Sequence, residues 1–329
     1  MNYKKIVASV VGKTPLWRLG EILKKRPRVL FYHGVIDGPF NNVRVQANQM
    51  LFENFRKQIL FLKQHFQFLS IDEFYSRFTN HDKFTGKEIV LTFDDGYKNN
   101  LYVAAPLLDE LQIPFTVFVS TRAVENESFI PTYYVRSAVF SSAVRSIDVP
   151  TLKRKFILDS EIKRVNAERE IIHCIKTSDE TCVRSIINDI ENHIGQSIRE
   201  EINSYYESER ILSWKEVTLL HNSGVVIGAH CADHCILHKN QSPETILSQL
   251  RDSKEAIISH IGECRYFAFP NGDKTSVCDY SLSCARNMYN MSFAVNGKCV
   301  GCYDPIEYIS RIGIAPTLEL MKVQLSLLA

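Results

Sequence analysis

The sequence predicts an α/β domain built as a parallel barrel, and three observations carry that expectation. Eight short apolar runs punctuate the chain, at residues 29–33, 66–69, 88–93, 114–120, 225–230, 266–269, 292–295 and 308–314. None alternates cleanly between polar and apolar residues, as befits strands covered on both faces. Helical patterns lie between the runs, and strands alternating with helices in this number suit a barrel.

Taken in order, the first element is a basic leader, residues 1–28. It carries Lys4, Lys5, Lys13, Arg18, Lys24, Lys25, Arg26 and Arg28 against Glu21 alone, although the whole chain is only +2. Its apolar residues Ile6, Val7, Val10, Val11, Trp17, Leu19, Ile22 and Leu23 recur at helical spacing. Pro15 splits the segment into two short helices. Two roles are open: a segment lying on an anionic membrane surface, or a helical pair packed on the main domain.

The barrel then runs from 29 to 315. After the strand at 29–33, residues 50–65 place Leu51, Phe55, Ile59 and Leu62 on one helical stripe. Residues 97–111 form a second helical pattern through Ala104, Leu107, Leu108 and Leu111, and residues 214–223 a third. From about 131 to 210 the pattern is helical and charged, with no convincing strand. Residues 151–176 read as one long helix and 180–195 as another. An insertion of that size inside a domain is expected as a lid or side-subdomain covering one end of the barrel. Residues 316–329 read as a C-terminal tail.

Composition narrows the class. A chain of 329 residues with 45% hydrophobic and 23% charged residues suits one large globular domain or two small ones. No run of eighteen apolar residues suggests a spanning helix. The nine cysteines are odd in number, which argues against a complete disulfide framework. The apolar run at 6–11 is too short for a secretory core. The expectation is a cytoplasmic protein with reduced thiols, in peripheral contact with the inner membrane surface if the leader binds lipid. Beyond the leader no basic stripe interleaved with aromatics speaks for nucleic acid.

Two strand ends carry the chemistry. Leu91-Thr92-Phe93 runs straight into Asp94-Asp95-Gly96. Adjacent carboxylates repel each other when both are ionised. A bound cation relieves that repulsion at one of them and leaves the other free as a base, while the glycine permits the tight turn that follows. The bland alternative is an ordinary Asp-Asp-Gly turn. Val225-Val226-Ile227 leads likewise into Gly228-Ala229-His230-Cys231-Ala232-Asp233-His234. Two histidines four apart after a buried strand can aim at one ion. With Asp95 they make three protein ligands and leave room for water, the pattern of a catalytic rather than a structural metal site. Cys231, Cys235 and His238 are alternative ligands nearby, and Cys299-x-x-Cys302 is a lone pair lacking a partner pair. A third strand, Arg265-Tyr266-Phe267-Ala268-Phe269, ends in the turn Pro270-Asn271-Gly272.

These residues resemble the polysaccharide deacetylases, carbohydrate esterase family four. The family's Thr-Phe-Asp-Asp-Gly motif stands intact at 92–96. Its His-Ser/Thr-x-x-His motif is matched from His230 to His234, with Cys231 in place of the hydroxyl residue, and its strand-Pro-x-Gly motif by 267–272. The segments VLFYHGV, AAPLLDELQIPFTVFV, LSWKEVTLLHNSGVVIGAH and ISRIGI are similar to the branch that begins with a Tyr-His strand and whose motif order is permuted. The similarity runs from about 29 to 314, interrupted by the insert.

The resemblance implies a distorted (β/α)7 barrel that hydrolyses the N-acetyl group of an N-acetylated sugar in glycan or cell-surface polysaccharide synthesis. It implies a divalent metal, zinc above all, on Asp95, His230 and His234, with Asp94 as general base and His33 as general acid. Read without the family, the strand-end pair Tyr32-His33 is an ordinary core pair. Tyr97, Phe269, Pro270, Asn271 and Arg311 are the expected substrate contacts. The family's third-motif arginine, which holds the base aspartate, is Ala268 here, and Arg311 on the last strand is the candidate to replace it. For a cytoplasmic protein the expected substrate is a nucleotide-linked or lipid-linked precursor. Two rival expectations remain: a catalytically silent carbohydrate-binding barrel, and a metal-dependent amide hydrolase or deformylase acting on a non-polysaccharide substrate.

Overall fold

In the computed structural model, residues 25–40, 42–141, 143–205 and 210–327 are described. The strands are β1 (Arg28–Tyr32), β2 (Gly34–Ile36), β3 (Gln49–Leu51), β4 (Gln67–Leu69), β5 (Glu88–Phe93) and β6 (Thr116–Val119). They continue with β7 (Ser146–Val149), β8 (Arg154–Ile157), β9 (Val226–Ala229), β10 (Tyr266–Ala268), β11 (Met291–Val295) and β12 (Ile309–Gly313). Seven of them close a parallel barrel in the order β1, β12, β11, β10, β9, β6, β5, with β5 returning to β1. The eighth expected strand, β4, pairs with the first half of β5, and β6 takes over the same edge only at Thr92. That shared edge is the distortion of the barrel.

The two-residue period of the strands sorts side chains into two layers. Val29, Val90, Phe118, Tyr266, Phe293 and Ile309 fill the lumen. Leu30, Leu91, Phe93, Val117, Ile227, Phe267 and Ile312 face outward into a second cluster beneath the helices. That outer layer is met by α1 (Phe52–His65), whose Phe55, Ile59 and Leu62 are fully buried, as the stripe in the sequence requires. Helices α2 (Ile71–Thr79) and α6 (Trp214–Asn222) each start in a capping box, Ser70 with Glu73 and Ser213 with Glu216. Helix α7 (Pro243–Ile261) ends on Gly262, and α8 (Asp279–Met288) follows β10.

The insert departs from its reading in two ways. It comprises α3 (Pro131–Phe140), the antiparallel hairpin β7–β8, α4 (Glu161–Thr177) and α5 (Glu180–Tyr205). The expected single helix over 151–176 is thus a turn at Lys153, a strand, and a helix capped by Ser160, whose side chain accepts from the Lys163 N–H. Ile147 and Val149 are buried while Asp148 is exposed, so the strand alternation was present but only four residues long. Tyr134, Val135, Ile147, Phe156, Ile171, Ile186 and Ile190 give the insert its own hydrophobic cluster.

Smaller differences occur at both ends. Residues 1–24, which hold most of the basic leader, lie outside the described residues. Arg28, counted with the leader, is fully buried as the first residue of β1 and donates to the Gly86 carbonyl at 2.5 Å. The segment read as a tail holds a helix, Leu318–Leu327, with Met321 and Leu325 buried and Lys322 over the Phe61 ring of α1. No helix among the described residues is long and apolar enough to cross a membrane.

Candidate active site

Strand register assembles the site at one end of the lumen. Parallel pairing sets Tyr32 beside Phe93, so His33 and Asp94 leave neighbouring strands together, and the Asp94 N–H donates to the Tyr32 carbonyl at 3.0 Å. Pairing of Val119 with Ala229 brings in His230, whose N–H donates to the Val119 carbonyl at 2.9 Å. These residues end parallel strands at their C-terminal side, where barrel enzymes build their sites.

The backbone is strained where these chains turn. Asp95, Cys231, His234 and Asn271 all have positive φ, between 55° and 73°. Such values are costly for residues with a Cβ and cluster at functional sites. Gly96 follows at φ +80°, where an added Cβ would lie 2.9 Å from the Val119 side chain, so the turn after the acid pair requires glycine.

Asp95, His230 and His234 bring one ligand atom each within 4.8 Å of one another. His230 Nδ1 sits 2.7 Å from the Ala268 carbonyl, which fixes its tautomer and turns Nε2 toward the aspartate. Nε2 of His230 and of His234 lie 3.5 and 3.2 Å from Asp95 Oδ1. That buried oxygen nevertheless has no hydrogen bond. A buried acceptor facing two imidazole nitrogens without bonding either is what a shared cation resolves, so the donor set fits a divalent metal. Cys231 and Cys235 are buried, and burial holds both thiols up as neutral groups; neither they nor His238 join the ligand group.

Asp94 lies beside this group and is held differently. Arg311 grips it with two prongs, Nη1 to Oδ1 at 2.6 Å and Nη2 to Oδ2 at 2.8 Å. The guanidinium also reaches Thr92 Oγ1 at 3.3 Å and lies between the rings of Phe31 and Phe118. Burial pushes the Asp94 carboxyl up, but the Arg311 charge, with His230 and the hydrogen bonds, outweighs it and leaves Asp94 below its ordinary value. The same contest, won by His234 and His230, holds Asp95 well below. His33 is half-buried beside the edge of the Phe31 ring; burial lowers its pKa below 6.5, against the opposing pull of Asp95 and Asp94.

The expected substrate contacts divide. Arg311 is fully buried and its guanidinium is spent on Asp94. Phe269 is also fully buried, its ring 4.8 Å from Phe267 in the outer layer, so its side chain does not reach a ligand. The period of two explains this: Ala268 faces the lumen, and Phe269 must face the helices. Tyr97 is buried, edge-on to Tyr133, and its hydroxyl is held neutral by burial and by the Asp95 charge. Asn271 is half-buried and lines a small cavity with His234, and Pro270 is buried next to it.

Sequence reading missed Asp233. Its Oδ2 accepts from Arg122 at 2.6 Å, from Gln249 of α7 at 2.6 Å and from Arg184 of α5 at 2.8 Å. A lone aspartate between two motif histidines gave no sign of partners so distant in sequence. Beside His234 opens a cavity of about 370 Å³ between barrel loops and α5. A larger cavity of about 690 Å³, walled by Lys25, Phe78, Phe84 and Tyr303, lies away from these groups.

The polysaccharide deacetylase family model matches residues 81–285, well over half of the chain. The chain belongs to the polysaccharide deacetylase family. It is accordingly a hydrolase, a carbohydrate N-deacetylase, and its closed seven-stranded parallel barrel with surrounding helices is the family's (β/α)7 fold. Solved structures agree in fold. The chain is similar to the Streptococcus pyogenes deacetylase PplD in complex with acetate, with 18% identity, a TM-score of 0.59, and coverage of 91% of this chain and 98% of that one. It is similar to BC0361, a polysaccharide deacetylase from Bacillus cereus, with 18% identity, a TM-score of 0.55, and 91% and 69% coverage. It is similar also to IcaB from Ammonifex degensii, with 16% identity, a TM-score of 0.54, and 92% and 97% coverage. No curated protein matches the chain.

Proposed function

We propose that this deacetylase is zinc-dependent and frees the amine of an N-acetylated sugar during synthesis of a cell-surface glycan. One observation carries the reading. A ligand set of Asp95, His230 and His234 stands beside a second, separately held carboxylate, Asp94, at the C-terminal ends of the barrel strands.

A divalent ion held by Asp95, His230 Nε2 and His234 Nε2 would supply Lewis acidity for the acyl carbonyl and lower the pKa of the attacking water. Asp94, ionised and aimed by Arg311, takes a proton from that water as its oxygen bonds to the acyl carbon. A main-chain N–H of Tyr97 or Asn271 faces the developing oxyanion. His33 gives a proton to the sugar nitrogen as the C–N bond breaks, leaving acetate and a free amine. Arg311 takes the place of the arginine missing at Ala268, which removes the reason to read the barrel as silent. In this reading the first strand supplies the acid, as a permuted motif order implies, and the last strand supplies the base's holder.

The odd count of nine cysteines suits a reducing compartment, and with it a nucleotide-linked or lipid-linked precursor rather than an exported polymer. The basic leader suits a peripheral contact with anionic lipid there. The test is acetate release from a panel of N-acetylated sugars, free, nucleotide-linked and lipid-linked, with chelator and with added zinc. Zinc-restored release of acetate from one of the linked sugars is expected. Turnover of formamides or simple amides alone would favour the deformylase reading, and full activity in excess chelator would remove the metal.

A further inference from the structure

The loop that carries both candidate ligand histidines turns twice through the left-handed region, at Cys231 (φ 63°) and at His234 (φ 55°). Such turns are costly for residues with a Cβ and persist where the surroundings over-determine them. Here the surroundings can be read bond by bond. Ser120 Oγ donates to the His230 carbonyl at 3.1 Å, the Thr121 N–H to the Cys231 carbonyl at 3.3 Å and the Arg122 N–H to the Ala232 carbonyl at 2.8 Å. The segment after β6 thus holds the first three residues of the loop. At Asp233 a side-chain network takes over. The Asp233 N–H donates to Gln249 Oε1 at 2.9 Å, and Gln249 Nε2 donates back to Asp233 Oδ2 at 2.6 Å, a closed pair with a residue of α7 that is only 3% exposed. Arg122 and Arg184 reach the same oxygen at 2.6 and 2.8 Å. The side chains of these arginines are 42% and 53% exposed, so their attraction is screened and what they add is direction. Three elements distant in sequence converge on one carboxylate oxygen, in the residue just before His234.

We propose that Asp233 is a positioning residue for His234. Its carboxylate, gripped from α7, from the segment after β6 and from the insert, fixes the turn that aims His234 at Asp95, and so sets how tightly the site holds a divalent cation. Through Arg184 the insert then takes part in the metal site without supplying a ligand. The inference rests on the reading of Asp95, His230 and His234 as the ligand set. Loss of a group that orients a ligand without touching the ion weakens metal binding by roughly 10–100-fold.

The experiment uses the full chain and reads metal binding apart from turnover. Competition with a chromophoric chelator gives the Kd for zinc of the wild type, of Asp233→Ala and of Asp233→Asn. The control is Lys163→Ala, which removes an exposed ion pair with Asp159 elsewhere in the insert. The Tm of each zinc-free protein and the visible spectrum of each cobalt-loaded protein are recorded alongside. The expected Kd rises roughly 10–100-fold in Asp233→Ala. It rises less in Asp233→Asn, whose amide oxygen still accepts a bond, and stays unchanged in the control. The cobalt spectrum should shift in Asp233→Ala, because the geometry at His234 changes. A lowered Tm with wild-type zinc affinity and an unshifted spectrum would make Asp233 merely structural and overturn the inference. Should Asp233→Ala fail to fold, Asp233→Asn, of the same shape, and Arg184→Met carry the test: both should bind zinc more weakly, and wild-type affinity in both would overturn it. A wild type that holds no zinc would instead overturn the ligand set, and the inference with it.

Discussion

The barrel and the insert place their working residues by opposite means. In the barrel, position comes from strand register: one residue past β5 is Asp94, one past β1 is His33, one past β9 is His230. Asp94 and His230 donate their main-chain N–H groups to the Tyr32 and Val119 carbonyls, and the His33 carbonyl accepts from Asn100 Nδ2, so short sequence patterns already contain much of the geometry. The insert has its own hydrophobic cluster, and contacts of long sequence separation join it to the barrel, chiefly Arg184 to Asp233, 49 residues away. Chemistry that sits on strand ends is local information; a wall that borrows its position from another element is not.

The largest expected effect on folding lies at the buried pair on the barrel side. Arg311→Met leaves Asp94 buried without its counter-ion. Removal of one partner from such a pair costs about 3–5 kcal/mol, and it should appear as a large drop in Tm together with loss of turnover. A variant as stable and active as wild type would show that Asp94 needs no holder.

His33→Ala tests the other strand-end claim. Burial lowers the pKa of His33 below 6.5, so as a general acid it is lost as pH rises through that lowered value. The kcat/KM profile should therefore show its alkaline limb below pH 6.5, and His33→Ala should lower kcat by roughly 10²–10⁴-fold and remove that limb while metal content stays unchanged. A limb that survives the substitution would leave the acid to another group.

The smallest effect belongs to the insert. Burial, with the charge of Asp233, raises Glu180 to about 7, against the pull of Arg184 3.1 Å away. A raised folded-state value means that this group's stabilisation is complete below its ordinary 4.5 and is lost as pH rises through about 7. Thermal unfolding followed across that window should show a modest fall in Tm in wild type and a flatter curve in Glu180→Gln. Parallel curves would place Glu180 outside the joint.

What was legible follows the same division. All eight apolar runs are strands, and the three motif segments meet at one end of the barrel, because buried parallel strands announce themselves as unbroken apolar runs. The hairpin β7–β8 went unread because four residues of alternation are too few to outweigh charged surroundings. Phe269, expected at the substrate because its motif adjoins the site, has its ring packed against Phe267 beneath the helices, a side that only the strand alternation discloses. Arg311 was visible as a charge on the last strand, but its two-pronged grip on Asp94 depends on barrel closure, which joins β12 to β1 and β1 to β5.

The central claim is that two adjacent carboxylates have separate duties, Asp95 in the ligand set and Asp94 as base. Acetate release and zinc content measured together on wild type and Asp94→Asn test it most directly. The account predicts one zinc per chain in both proteins and turnover lower by roughly 10²–10⁴-fold in the variant. Near-normal turnover in Asp94→Asn, or a variant that no longer holds zinc, would contradict it.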